Sequence, residues 1–135
     1  MKKERHTGGC LCGHVRYVVT GPVTDISYCH CAMCRRFHGH AGAFVGAERS
    51  DFAFVGAGRP HWYASSDKAR RGFCPTCGSA LFWDAPDESR TYFTAGSLDE
   101  PTGLTGRRHI FVADKGDYYA IDDDLPTYPG TPGGA

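Results

Sequence analysis

The chain has 135 residues, 41% of them hydrophobic and 13% aromatic, which suits one core of ordinary size and falls short of what two separate domains need. Fifteen basic residues offset fifteen acidic ones, so no global field draws the chain to nucleic acid or to an anionic membrane. No apolar run resembles a secretory signal or approaches the roughly 18 residues of a membrane-spanning helix, and the expected protein is soluble, cytoplasmic and without a membrane partner.

Residues 1–7 are charged and lead into glycine, and are expected to form a flexible N-terminus before a single domain over residues 8–125. Val15, Tyr17 and Val19 alternate with Arg16, Val18 and Thr20, so His14–Thr20 suits a strand with one buried face, ended by Gly21-Pro22. Ala32–His38 holds seven residues without Gly or Pro and is the one helix expected. Short aromatic or β-branched runs then predict strands over Ala43–Val45, Phe52–Val55, His61–Ala64, Ala80–Trp83, Thr91–Ala95, His109–Val112 and Tyr118–Ile121, separated by turns. Phe37, Phe44, Phe73, Phe82 and Trp83 are expected to fill the core or to line the metal pocket, the core being the better reading. The basic run Lys68, Arg70, Arg71 reads as a solvated strand face. Residues 126–135 are rich in Pro and Gly and are expected to be a flexible tail. The class is mainly β: short antiparallel strands with one short helix.

Seven cysteines are an odd number, and disulfides do not persist in a reducing compartment, so metal ligation is the leading use. They fall in three clusters. Cys74-Pro75-Thr76-Cys77-Gly78 has the spacing of a zinc knuckle: Pro75 stiffens the turn and Gly78 lets backbone amides approach sulfur. A knuckle supplies two ligands, and tetrahedral structural zinc takes two more, most simply Cys10 and Cys12 from the other end of the chain. Cys29, Cys31 and Cys34 remain, close enough in sequence for one loop and one helix start to present three thiolates to a single ion. Three ligands leave a fourth position for a water or a substrate atom, which is what separates catalytic zinc from structural zinc. The other readings of the triplet are a second structural site completed by His30, His38 or His40, and an iron–sulfur cluster, which lacks a fourth cysteine at ferredoxin-like spacing.

Arg35 and Arg36 follow Cys34 directly and are candidates to offset the charge of three thiolates or to hold a substrate carboxylate. His30, between two ligands, is a candidate proton carrier or thiolate partner.

Three stretches together, Gly8-Gly9-Cys10-Leu11-Cys12-Gly13-His14-Val15-Arg16-Tyr17, Cys29-His30-Cys31-Ala32-Met33-Cys34-Arg35-Arg36 and Cys74-Pro75-Thr76-Cys77-Gly78, resemble the glutathione-dependent formaldehyde-activating enzyme family, also called the GFA or CENP-V family. Ala95-Gly96-Ser97-Leu98-Asp99-Glu100-Pro101 and His109-Ile110-Phe111-Val112 extend the likeness, which runs from about Gly8 to Leu125. The resemblance implies an Mss4-like β fold with two Zn2+ per chain, a structural ion on Cys10, Cys12, Cys74 and Cys77 and a catalytic ion on Cys29, Cys31 and Cys34. It further implies a carbon–sulfur lyase that joins a small thiol, glutathione in the founding activity, to formaldehyde and reverses that step. The alternative is a non-catalytic zinc module for interaction or scaffolding.

Overall fold

The computed structural model describes residues 5–132. In chain order the strands are β1 (Arg5–Gly9), β2 (Arg16–Thr20), β3 (Ile26–Cys29), β4 (Gly42–Glu48), β5 (Phe52–Val55), β6 (His61–Ala64), β7 (Arg70–Phe73), β8 (Ala80–Asp84), β9 (Arg90–Thr94) and β10 (Gly106–Ile110), with helix α1 (Ala32–His38) between β3 and β4. No helix among the described residues is long and apolar enough to cross a membrane. The chain divides into two compact units, the first from residues up to Thr24 together with Val45–Gly103 and the second from Asp25–Phe44 together with the residues from Leu104 onward. Strand β4 passes from the second unit into the first.

In the first unit β1, β2 and β5 form an antiparallel sheet in that order, which sets Tyr17 opposite both Gly8 and Phe54. The alternation in β2 works as expected: Val15, Tyr17 and Val19 are buried and Thr20 is exposed. Tyr17 is the hub. Its ring lies 5.2 Å from Phe52, 5.3 Å from Phe93 and 5.6 Å from Phe82, pairs worth about 0.5–1.5 kcal/mol each beyond their burial. Its hydroxyl meets Ser97 Oγ at 2.7 Å, which satisfies the one polar atom that this burial brings inside. The ring requires glycine opposite it, because a Cβ on Gly8 would stand 2.5 Å from Tyr17 Cζ. Strands β6, β7, β8 and β9 pair antiparallel in sequence order and contribute Leu81, Phe82 and Phe93 to the same core.

In the second unit β3 pairs antiparallel with the start of β4 and parallel with β10, so that Cys29 lies opposite Gly42 on one side and Ile110 on the other. The parallel pair departs from an all-antiparallel arrangement. Tyr28 of β3 stacks on His109 of β10 with ring centroids 5.1 Å apart.

Helix α1, β5 and β6 coincide with the expected elements, and β2, β4, β8, β9 and β10 overlap theirs. Three strands had no counterpart in the expectation. β1 contains Gly8 and Gly9, β3 ends in the cysteine cluster, and β7 carries Arg70 and Arg71, so each was masked by residues that read as turn, ligand or solvated charge. Arg71 is in fact buried. Of the five aromatics assigned to the core only Phe82 is buried, the other four being half-exposed. The expected strand over Tyr118–Ile121 is absent: the Lys115 ammonium donates to the carbonyls of Gly116 and Tyr119 and holds the segment as a turn. At the two ends, regular structure starts at Arg5, and backbone bonds join Tyr128 to His109 and Gly130 to Phe111. The outermost residues of the expected flexible ends, 1–4 and 133–135, lie outside the described residues.

Candidate metal centres

Cys10 and Cys12 sit on the loop that follows β1, and Cys74 and Cys77 on the loop that follows β7. The two loops are built alike. In one, the Cys10 amide donates to Val15 O at 3.0 Å and Gly13 turns the chain at φ 85°. In the other, the Cys74 amide donates to Ser79 O at 3.0 Å and Gly78 turns at φ 79°, a conformation that favours glycine. Each turn folds amides back onto sulfur. The Val15 amide lies 3.2 Å from Cys10 Sγ, and those of Thr76 and Cys77 lie 3.4 Å from Cys74 Sγ.

All four Sγ atoms lie within 4.8 Å of one another, with Cys10 and Cys12 at 3.7 Å and Cys12 and Cys74 at 3.8 Å. Zinc–sulfur bonds of about 2.3 Å in a tetrahedron place neighbouring sulfurs about 3.8 Å apart, so the donor set has the spacing of a tetrathiolate zinc site. Its acidity points the same way. The Ser79 hydroxyl and amide pull the Cys77 thiol down to about 5. Burial opposes ionisation of Cys10, but the Val15 amide and the Cys74 and Cys12 thiols outweigh it and lower its pKa. The His14 amide favours the Cys12 thiolate, yet desolvation and the neighbouring sulfurs leave it raised to about 11. Four thiols this close share protons rather than ionise together, and a divalent cation is what allows all of them to deprotonate. Ser79, which also accepts the Leu11 amide at 3.0 Å, bridges the two loops. Sequence reasoning passed over it, although it lies two residues beyond the knuckle.

The triplet is assembled locally. Cys29 is the last residue of β3, Cys31 is the N-cap of α1, and Cys34 lies in the first turn, where its amide donates to Cys31 Sγ at 3.3 Å. The helix ends at Gly39 in the left-handed region, whose amide donates to Arg35 O. The three Sγ atoms lie within 4.8 Å of one another, with Cys29 and Cys34 buried. Contact with Cys31 and Cys34, together with burial, pushes the Cys29 thiol far up, the mark of a thiol cluster that needs a cation in order to ionise.

Among the described residues no histidine nitrogen or carboxylate joins this group. His30 is engaged elsewhere through both ring nitrogens: Nδ1 meets the Tyr119 hydroxyl at 2.5 Å and Nε2 meets His109 Nδ1 at 2.8 Å. Burial, then the nearby His109, His40 and Lys115 side chains, lower its pKa. His38 packs edge-on to Phe37 and Phe44, and the His40 Nδ1 is bonded to the Tyr118 hydroxyl at 2.6 Å. The reading in which one of these histidines closes the site therefore finds no support. Arg35 is half-buried and Arg36 exposed. The Arg35 Nε is buried without a hydrogen-bond partner among the described residues.

Sequence reasoning missed the partners of His30. His109 Nε2 is bonded to Asp123 Oδ2 at 2.8 Å and Oδ1 at 3.0 Å, so Tyr119, His30, His109 and Asp123 form one hydrogen-bonded chain. The available signals were an isolated histidine in a strand and an aspartate in an acidic run, neither of which announces a partner.

The sequence profile described as glutathione-dependent formaldehyde-activating enzyme matches residues 5–114. A protein of Schizosaccharomyces pombe named as an uncharacterized lyase is 30% identical over 121 residues, which cover 84% of this chain and 83% of that protein. A crystal structure of a Rhodobacter sphaeroides protein shares the fold, with a TM-score of 0.55 and 23% identity over 90% of this chain and 98% of that one.

Proposed function

Because the chain belongs to the glutathione-dependent formaldehyde-activating enzyme family, we propose that it is a zinc-dependent carbon–sulfur lyase acting on glutathione or a related small thiol and its aldehyde adduct. One observation carries the reading: three thiols converge at the head of α1 with no fourth protein ligand beside them among the described residues, while the other four cysteines form a group of four. Cys10, Cys12, Cys74 and Cys77 would hold a structural zinc, and Cys29, Cys31 and Cys34 a catalytic one. At a trithiolate site the ion supplies acidity to a substrate thiol more readily than it polarises a carbonyl, because sulfur donors already give it much charge.

The remaining roles fall to the chain. In the synthetic direction a carbon–sulfur bond forms between thiol and formaldehyde, the carbonyl π pair moves to oxygen, and the proton lost by the thiol ends on that oxygen; lysis is the reverse. Arg35 is better placed than Arg36 to hold a substrate carboxylate, since its Nε is buried and has no hydrogen-bond partner among the described residues, while Arg36 faces solvent. His30 keeps its ring against Tyr119 and His109, so its part is to fix the loop between two ligands rather than to reach the substrate.

The test is metal content and adduct turnover in the wild type and in Cys31→Ala. The expected result is two zincs in the wild type, with glutathione altering the coordination of one, and loss of that ion and of turnover in the variant. One closed zinc with three free thiols at the triplet would overturn the proposal. So would two unreactive zincs with Cys31→Ala unfolding the chain as badly as Cys74→Ala, the outcome that a scaffold module requires.

A further inference from the structure

The segment that follows β10 lies beyond residue 114, where the family match ends, yet it supplies Tyr119 and Asp123 to the chain of hydrogen bonds that grips His30. We propose that this C-terminal segment positions the three-thiol loop, with His109 and Asp123 as positioning residues that act through His30.

His30 stands between two of the three thiols, so whatever fixes it fixes Cys29 and Cys31 on either side. Its backbone amide donates to Ile110 O at 3.0 Å, continuing the pairing of β3 with β10, and its ring is 97% buried. Both ring nitrogens are held, by Tyr119 on one side and by His109 on the other. His109 is fixed in turn. Its amide donates to Pro126 O and its carbonyl accepts the Tyr128 amide, each at 2.9 Å, while its ring stacks on Tyr28. The Asp123 carboxylate, which also accepts from the Leu125 amide at 3.2 Å, accepts a hydrogen bond from His109 Nε2. One set of tautomers closes the directions without conflict: Tyr119 donates to His30 Nδ1, His30 Nε2 donates to His109 Nδ1, and His109 Nε2 donates to Asp123. The bond from His109 also holds the Asp123 carboxyl below its ordinary range, as a pure acceptor at the end of the chain requires. A site whose ligands come from one short loop gains from such outside supports, which add to the bond from the Cys34 amide to Cys31 Sγ in fixing the spacing of its sulfurs.

This inference rests on the reading of the triplet as a metal site. The full-length protein is titrated with cobalt(II) as spectroscopic probe, followed by competition with a chromophoric chelator. The wild type should take up two ions, and Cys31→Ser should lose the one at the triplet, which assigns it. Asp123→Ala, at a side chain 46% exposed and outside the core, should weaken that same ion by about 10- to 100-fold and shift its d–d bands, leaving the four-cysteine ion unchanged. His109→Ala should do the same, and His109→Asn, which keeps an acceptor near the position of Nδ1, should recover most of the affinity. Wild-type affinities and spectra in both alanine variants, or equal weakening at both sites, would overturn the positioning role while leaving the metal site standing. A single ion in the wild type would overturn the metal reading itself and the inference with it.

Discussion

On the proposed metal assignment, loss of the four-cysteine ion should cost the fold about twice as much as loss of the other. Cys12 is the residue to change, because it is exposed and its removal takes no packing from the core, yet its sulfur spans the two loops, 3.7 Å from Cys10 and 3.8 Å from Cys74. The loops are joined across 62 positions of sequence. Treated as a cross-link, that closure removes about 4 kcal/mol of chain entropy from the unfolded state, against a total stability of about 7–20 kcal/mol for a chain of this length. With an unfolding entropy of about 0.28 kcal/mol per kelvin for 135 residues, Cys12→Ala stripped by chelator should melt roughly 15 °C below the metal-replete wild type. The triplet spans only Cys29 to Cys34, a closure of about 2 kcal/mol by the same relation, so the equivalent change for Cys31→Ala is roughly half as large. Calorimetry under reducing conditions, with metal content measured on the same samples, reads both. If the ion is gone from Cys12→Ala and the melt moves by less than about 3 °C, the stapling argument is wrong.

Two further outcomes follow from the first unit. The nearly buried Asp84 accepts from Arg49 at 2.7 Å and from Arg70 at 3.0 Å, so Asp84→Ala should cost about 2 kcal/mol at neutral pH. Burial pushes this carboxyl up, but the two guanidinium groups outweigh it and leave the folded pKa depressed; the stabilisation is therefore complete above the unfolded value of about 3.9 and disappears as pH falls through the folded one. Denaturant midpoints for wild type and variant should differ at pH 7 and converge in acid, and a gap independent of pH would refute the assignment. Gly58→Ala should cost about 3 kcal/mol or prevent folding, since its Cβ would fall 1.7 Å from the His14 carbonyl oxygen, whereas Gly78→Ala, with open space around Cβ but a φ of 79°, should cost only about 1 kcal/mol. Equal melting temperatures for the two variants would contradict this.

What the sequence made legible was whatever a short window encodes. The buried face of β2 follows from three alternating residues, α1 from seven residues free of Gly and Pro, and the two thiol groups from the spacing of cysteines. The partners of His30 were illegible for the opposite reason: Tyr119 is 89 positions away and His109 is 79, and no local pattern records a bond across such a span. Tyr118–Ile121 shows how the same limit misleads. Its composition suits a strand, but the Lys115 ammonium caps its carbonyls and the two tyrosine hydroxyls turn to His40 and His30. In the Pro- and Gly-rich end, too, the contacts are distant: Pro126 and Tyr128 find their partner in His109, more than fifteen positions back.

The energetic contrast between the two thiol groups bears on function directly. A ligand set that joins distant parts of a chain repays its assembly in stability, and the four-cysteine group does so across 62 positions. The triplet cannot be explained in that way. It crowds three thiols within 4.8 Å, at a cost visible in the raised pKa of Cys29, and closes a loop that returns about half as much stability. The chain also commits a tyrosine, a second histidine and, through that histidine, an aspartate to His30, the residue between two of its sulfurs. Expense of that kind at a place with less to gain for folding is what the proposed lyase reading, with its position left for substrate, expects of the three-thiol group.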